Sequence, residues 1–193
     1  MNFILIIDHS NKILNLKVVY YGPALSGKTT AVLALFSHFG KKEAVKSIEN
    51  TVLRTLFFDY GTLSFQNSEW VTKIHVYATT GQDYYAITRP ITLEAVDGII
   101  VVLDSQKEVY ERNLSSWNEL LYLYGENALD ELPIIIAFNK QDLTGKLKVE
   151  PFLEEINAFY FDTLSIKFWI AINGEGILGS FEELLKMIWV KNS

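Results

Sequence analysis

The segment Gly22-Pro23-Ala24-Leu25-Ser26-Gly27-Lys28-Thr29 sets two glycines, a lysine and a hydroxyl residue between two apolar stretches. Its spacing, G-x-x-x-x-G-K-[ST], can cradle phosphates when the loop joins a strand to a helix. Gly22 and Gly27 permit tight turns and close approach of the backbone. The backbone N–H groups of the loop, from Ala24 through Leu25, Ser26 and Gly27, can then converge on phosphate oxygens at the positive end of the helix. Lys28 would neutralise charge on the β- and γ-phosphates, Thr29 would offer its hydroxyl to Mg²⁺, and Thr30 could donate to the α-phosphate. A second cluster, Asn139-Lys140-Gln141-Asp142, closes the apolar run "IIIAFN". A carboxylate such as Asp142 can accept from guanine N1–H and the exocyclic N2–H₂, an arrangement that adenine does not present. The stem of Lys140 can cover the base plane, and Asn139 can tie its loop to the phosphate loop. By itself such a cluster is as compatible with a turn; with the phosphate loop upstream it points to GTP or GDP rather than ATP.

The elements that must hold these loops follow from periodicity. Residues 3–8 and 13–21 read as strands joined by the turn "HSNK". A helix follows the phosphate loop, with Val32, Leu35, Phe36 and Phe39 on one face. Residues 41–53 are poorly patterned. "TLFFDY" and "VTKIHVYA" read as strands joined by "GTLSFQNSEW", and residues 84–94 as a short helix containing Pro90. "GIIVVLD" and "LPIIIAFN" are continuous apolar runs that suit buried strands. Between them lies a long helix carrying Leu114, Trp117, Leu121 and Tyr124 on one face. Residues 150–160 read as helix, "SIKFWIAI" as strand and 180–190 as a last helix opened by a Ser180–Glu183 capping box. Apolar strands alternating with amphipathic helices predict an α/β fold: three layers, a mostly parallel central sheet with an extra N-terminal strand, and helices on both faces. In such sheets ligands bind at the carboxyl ends of the strands, where each motif falls.

The 193 residues suit a single domain spanning 1–193, and the net charge of −6 argues against a basic nucleic-acid-binding face. There is no cysteine, so disulfides, thiolate metal sites, prenylation and palmitoylation are excluded. Residue 2 is Asn, which excludes N-myristoylation, and no apolar run approaches the ~18 residues that span a bilayer. The start "MNFILIID" lacks a basic n-region and meets Asp8 early, unlike a signal peptide. These features lead us to expect a cytoplasmic protein with no lipid anchor and no membrane span.

On "VVYYGPALSGKTT", "RTLFFDY", "GQDYY" and "NKQDL" the whole chain resembles the Ras-like small GTPases, with the MglA-type prokaryotic branch the nearest likeness. "VVLDS" and "NKQDL" also look like Arf GTPases, although the Arf N-terminal myristoylated helix has no counterpart. The resemblance implies the P-loop small G-protein fold, a GTP/GDP switch, Mg²⁺ dependence, an effector protein of unknown identity and, as in the MglA branch, a Roadblock-domain partner that accelerates hydrolysis. It assigns the first switch to "ENTVLRTLFFD", where Thr55, or else Thr51, would bind Mg²⁺. There Arg54 would reach the β–γ bridge, or else remain a solvated arginine at a strand start. It assigns the second switch to "ATTGQDYY", where the Gly81 N–H would meet the γ-phosphate and Gln82 would orient the attacking water. Ala171 matches the alanine of the S-A-K motif, whose N–H meets guanine O6, or simply ends a strand; Ile170 and Ile172 replace its neighbours.

Two positions depart from the family pattern. Ala78 stands where relatives carry an Asp that holds Mg²⁺ through water, or Thr in the MglA branch; Thr79 or Thr80 could compensate through a hydroxyl. Ala24 stands where most have Gly, and its methyl would crowd Gln82 and the attacking water. Two expectations follow: a slow GTPase whose hydrolysis is completed by Arg54 and a partner, or a nucleotide-bound scaffold module with negligible turnover.

Overall fold

The computed structural model describes residues 6–47, 58–80 and 89–191. Among the described residues eight strands form one sheet. In chain order these are β1 (Ile6–Asp8), β2 (Ile13–Tyr21), β3 (Lys46–Ser47), β4 (Phe58–Gln66), β5 (Val71–Thr79), β6 (Gly98–Asp104), β7 (Ile134–Asn139) and β8 (Leu164–Phe168). Their spatial order is β3-β4-β5-β2-β6-β7-β8, with β1 beside β2. The run β5-β2-β6-β7-β8 is parallel, whereas β4, β3 and the N-terminal β1 pair antiparallel. The mostly parallel sheet with an extra first strand is the architecture the apolar pattern predicts.

Strand alternation sorts the core into two layers. Leu16, Val18 and Tyr20 of β2, Ile100 and Val102 of β6, and Ile135 and Ala137 of β7 pack with α1 (Lys28–His38) and α6 (Ile177–Lys191). Val19, Tyr21, Ile99, Val101, Ile134 and Ile136 face the other way. There they meet Leu93 of α2 (Arg89–Leu93), Trp117 and Leu120 of α3 (Tyr110–Tyr124), Leu129 of α4 (Glu126–Asp130) and Phe152 of α5 (Val149–Glu155). Trp117 and Leu120 are fully buried, while Leu114, Leu121 and Tyr124 lie at the rim of the stripe.

Four boundaries differ from the sequence expectation, each for a local reason. The "GTLSFQ" expected as connector continues β4, paired residue by residue with β5, and only Asn67–Trp70 turn. Asn67 Oδ1 accepts from Glu69 N at 2.9 Å and Trp70 N at 2.7 Å, an Asx turn. Gly61 sits there because Phe36 of α1 packs against it: an added Cβ would lie 2.5 Å from Phe36 Cζ. The poorly patterned 41–47 stretch makes a 3₁₀ turn (Lys42–Ala44) and the short β3. The helix expected over 150–160 breaks at Asn157, whose φ of 53° is left-handed, before a 3₁₀ turn at Ala158–Tyr160. Finally, α6 begins at Ile177 rather than 180, and the capping box does not form. Ser180 accepts from Trp169 Nε1 at 2.7 Å and donates to Gly176 O at 2.7 Å, while Glu183 bonds Ser165 and Lys167.

The Phe36–Gly61 contact fixes the height of α1 above β4. Gly61→Ala should therefore lower stability by about 1–3 kcal/mol through overpacking. Urea unfolding of the two proteins measures this, and an unchanged midpoint would refute the contact's role.

Candidate functional site

The carboxyl ends of β2, β6, β7 and β8 converge on one edge, and the loops leaving them form the site. Gly22 follows β2 with φ 139°, and an added Cβ would lie 2.2 Å from the Val102 carbonyl oxygen. Gly27 takes φ 103°, where a Cβ would meet Asn139 Nδ2 at 2.2 Å. Both glycines are thus required by the close fit of protein to protein. Gly27 is the N-cap of α1, and no side chain caps the first turn. Its N–H groups are left for an anion, and the helix end favours one. Ser26 Oγ is fully buried and has no hydrogen-bond partner. An uncapped helix, a left-handed glycine and an orphan hydroxyl suit the chemistry of a phosphate.

Among the non-glycine residues of this loop, left-handed backbone falls on Leu25, with φ 63°, and not on Ala24. A non-glycine residue in that region costs roughly 1–2 kcal/mol. The Leu25 side chain projects into solvent, 80 % exposed. Ala24 therefore adds no left-handed backbone strain to the loop.

Lys28 is buried, and its ammonium donates to Gly22 O at 2.8 Å and Pro23 O at 2.7 Å. Burial above all, and then the nearby Arg89 charge, pushes its pKa down to about 7, while Asp59 opposes the shift. Arg89 is itself buried. Its Nε donates to Thr80 O at 3.1 Å and its guanidinium pairs with Glu119 of α3, which also accepts from Tyr21 OH at 2.6 Å. Lys28, buried and held by carbonyl oxygens among the described residues, marks a place for negative charge.

The base-side motif is joined to this loop by one amide. Asn139 is buried at the end of β7. Its Nδ2 donates to Ser26 O at 2.8 Å, and its Oδ1 accepts from Ala171 N at 2.9 Å. The tie expected between the two loops is present, and it extends to a third. The Ala171 N–H, expected for a base carbonyl, is directed at Asn139 in this structure. Lys140 adopts φ 65° and its ammonium bonds Asp104 Oδ2 at 2.5 Å. Asp104, which ends β6, thus orients the lysine that follows the neighbouring strand. Asp142 is exposed at the mouth. "SIKFWIAI" leaves the sheet after Phe168, and an Ile170–Glu175 bridge closes the 170–175 turn. The buried Trp169 lies beneath it, and Gly176 (φ 81°) is needed because a Cβ would meet Trp169 Cδ1 at 2.6 Å.

The structure therefore brings together Gly22, Ala24, Leu25, Ser26, Gly27, Lys28, Thr29, Thr30, Asn139, Lys140, Asp142 and Ala171. Thr51, Arg54, Thr55, Gly81 and Gln82 lie outside the described residues. The Thr79 hydroxyl is directed at Tyr20 O at 3.4 Å. Sequence reasoning missed Asp59, Asp104, Arg89 and Glu119. Asp59 Oδ2 accepts from Thr29 Oγ1 at 2.5 Å. Among the described residues no three His, Cys, Asp or Glu side chains form a metal cluster.

Residues 5–188 match the ADP-ribosylation factor family. The chain is similar to the mutual gliding-motility protein MglA of Myxococcus xanthus, 32% identical over 187 residues that cover 94% of this chain and 94% of the relative. It is also similar to the Ras-related protein Rab-32D of Dictyostelium discoideum, 25% identical over 91% of this chain and 73% of that protein.

Because phosphates require a charged Lys28, ligand binding should take up a proton. Between pH 7 and the ordinary lysine value of 10.5 the free protein holds fewer protons at Lys28 than the complex. Apparent affinity for a nucleoside diphosphate should therefore fall towards about tenfold per pH unit above 7. Titration calorimetry in two buffers of different ionisation enthalpy, compared at pH 6.5 and about pH 8, detects the uptake; identical heats at the higher pH would disprove it.

Proposed function

Because the chain belongs to the Arf/Ras-like small GTPase family, we propose that it is a GTP/GDP-binding switch that hydrolyses GTP slowly with Mg²⁺. The observation that carries this reading is the Asn139 bracket, which fixes a phosphate-type loop and a guanine-type loop around one mouth. The phosphates would lie against Gly22–Thr30, with Lys28 balancing their charge. Asp142 would accept from the guanine edge, and the Asp104-held stem of Lys140 would flank the base.

Thr29, joined by Thr55 (or Thr51), would hold Mg²⁺, which when bound draws charge from the β- and γ-phosphate oxygens. Gln82 orients a water towards the γ-phosphorus while the Gly81 N–H steadies the γ-phosphate. The water oxygen would bond to the γ-phosphorus as its bond to the β–γ bridging oxygen breaks. GDP would leave with the electron pair, the water's proton would pass to the released phosphate, and Arg54 would stabilise the charge that develops at the bridge. These switch roles rest on the family pattern. Loss of the γ-phosphate would release both loops, which is how an effector could distinguish the two states. In the same reading the whole chain, 1–193, works as one G domain, and a Roadblock-domain partner speeds hydrolysis. No described helix is long and apolar enough to cross a membrane; the cytoplasmic placement is part of the same proposal. Ala24 is not among the left-handed residues of the loop, so backbone strain there gives no support to an inert scaffold; its methyl would slow turnover only by crowding the attacking water.

The base assignment is tested by Asp142→Asn. It should weaken GDP binding by at least ~100-fold and favour xanthosine diphosphate, whose C2 carbonyl accepts from the new amide. Tighter binding of ADP than GDP by the unmodified protein would overturn the assignment. For hydrolysis, Ala24→Gly should raise the single-turnover rate and Arg54→Ala should lower it. If neither moves the rate, the proposed mechanism fails.

A further inference from the structure

The family pattern places a metal-positioning carboxylate on β5, at the position occupied here by Ala78. The structure puts a different carboxylate in that space. Across the antiparallel β4–β5 ladder the residue opposite Ala78 is Asp59. Directly opposed residues in such a ladder project from the same face, with Cβ atoms about 5 Å apart. The face is that of α1: Ala78, Val76 and Ile74 pack there, and Gly61, two residues along from Asp59, meets Phe36. On that face Asp59 reaches the first turn of α1, where its Oδ2 accepts from Thr29 Oγ1 at 2.5 Å. The carboxylate is only partly buried, so water can share it.

We propose that Asp59 supplies, from the neighbouring strand, the carboxylate that orients Thr29 and the water shell of Mg²⁺, in place of the acid absent at Ala78. The proposal rests on the magnesium–nucleotide reading above and adds the residue that makes that reading chemically complete. Ala78 is 2 % exposed and has no polar atom, and the Thr79 hydroxyl faces a backbone carbonyl. Among the described residues, Asp59 of β4 brings its negative charge onto the Thr29 hydroxyl. A hydroxyl that donates to a carboxylate keeps a lone pair directed outward for a cation. Such an outer partner typically governs metal affinity by about 10–100-fold.

A purely structural role for Asp59, as a hydrogen-bond acceptor that fixes the Thr29 rotamer, makes a different prediction. Asp59→Asn keeps an acceptor and removes the charge. The measurement is release of a fluorescent GDP analogue across a Mg²⁺ titration and in EDTA. In the unmodified protein Mg²⁺ should slow release. In Asp59→Asn the Mg²⁺ concentration for half-maximal slowing should rise about 10–100-fold, with the EDTA rate little changed. Adding Ala78→Asp to that variant returns a carboxylate from the opposite strand, and it should restore the Mg²⁺ dependence. An unchanged Mg²⁺ midpoint in Asp59→Asn would overturn the proposal while leaving the magnesium reading intact. GDP release that ignores Mg²⁺ in the unmodified protein would overturn both. Should the double variant fail to fold, the single variant still decides.

Discussion

The site depends on the side chain of Asn139. It is buried at the end of β7 and spends both halves of its amide on backbone, one on the phosphate loop and one on the Ala171 turn. A buried amide left half-satisfied costs about 1–3 kcal/mol, so all three loops must stay within hydrogen-bond reach of a single point. That point also dictates sequence elsewhere. Gly27 lacks a side chain because Asn139 Nδ2 occupies the place of its Cβ. The left-handed turn that this glycine allows then directs the first N–H groups of α1 into the loop. The phosphate-type and base-type motifs are far apart in the chain, yet here one shared contact builds them.

Electrostatics set the second constraint. Lys28 and Arg89 are both buried near the loop, and Lys28 is held by carbonyl oxygens rather than by a matched carboxylate. Burial lowers the proton affinity of Lys28. Glu119 ties Arg89 to α3, and through Tyr21 it also touches the strand that feeds the phosphate loop. The loop is therefore stiff in backbone and, among the described residues, leaves Lys28 without a carboxylate contact, a charge that the phosphates of the proposed ligand would balance. Strain at Leu25 adds to this, since its left-handed backbone carries no compensating side-chain burial.

Much of this was legible in the sequence because the cues are local. A buried parallel strand is a continuous apolar run, and β6 and β7 end where the runs end, at Asp104 and Asn139. The phosphate loop and the base loop are contiguous motifs, and each falls at a strand end. What could not be read depends on contacts between distant residues. Gly61 looks like a turn until Phe36 is seen against it. Ser180–Glu183 looks like a cap until Trp169 claims the hydroxyl. Asp59 and Asp104 look like ordinary strand-end acids, and only strand order shows that one faces Thr29 and the other Lys140.

The two alanines that depart from the family pattern consequently have different weight. A missing carboxylate at Ala78 matters only if no other acid can reach the same place, and strand pairing decides that. In an antiparallel ladder each residue has an opposite number on the same face, so charge can move from β5 to β4 with little change in position. No comparable exchange exists for Ala24. Its methyl occupies space at the mouth of the loop, and a neighbour cannot remove volume as it can add charge. On the proposed reading, metal binding would tolerate such drift between strands, whereas room for the attacking water would be set at the single position of Ala24. Chemistry carried by charge is recoverable from adjacent strands; chemistry that requires empty space is not.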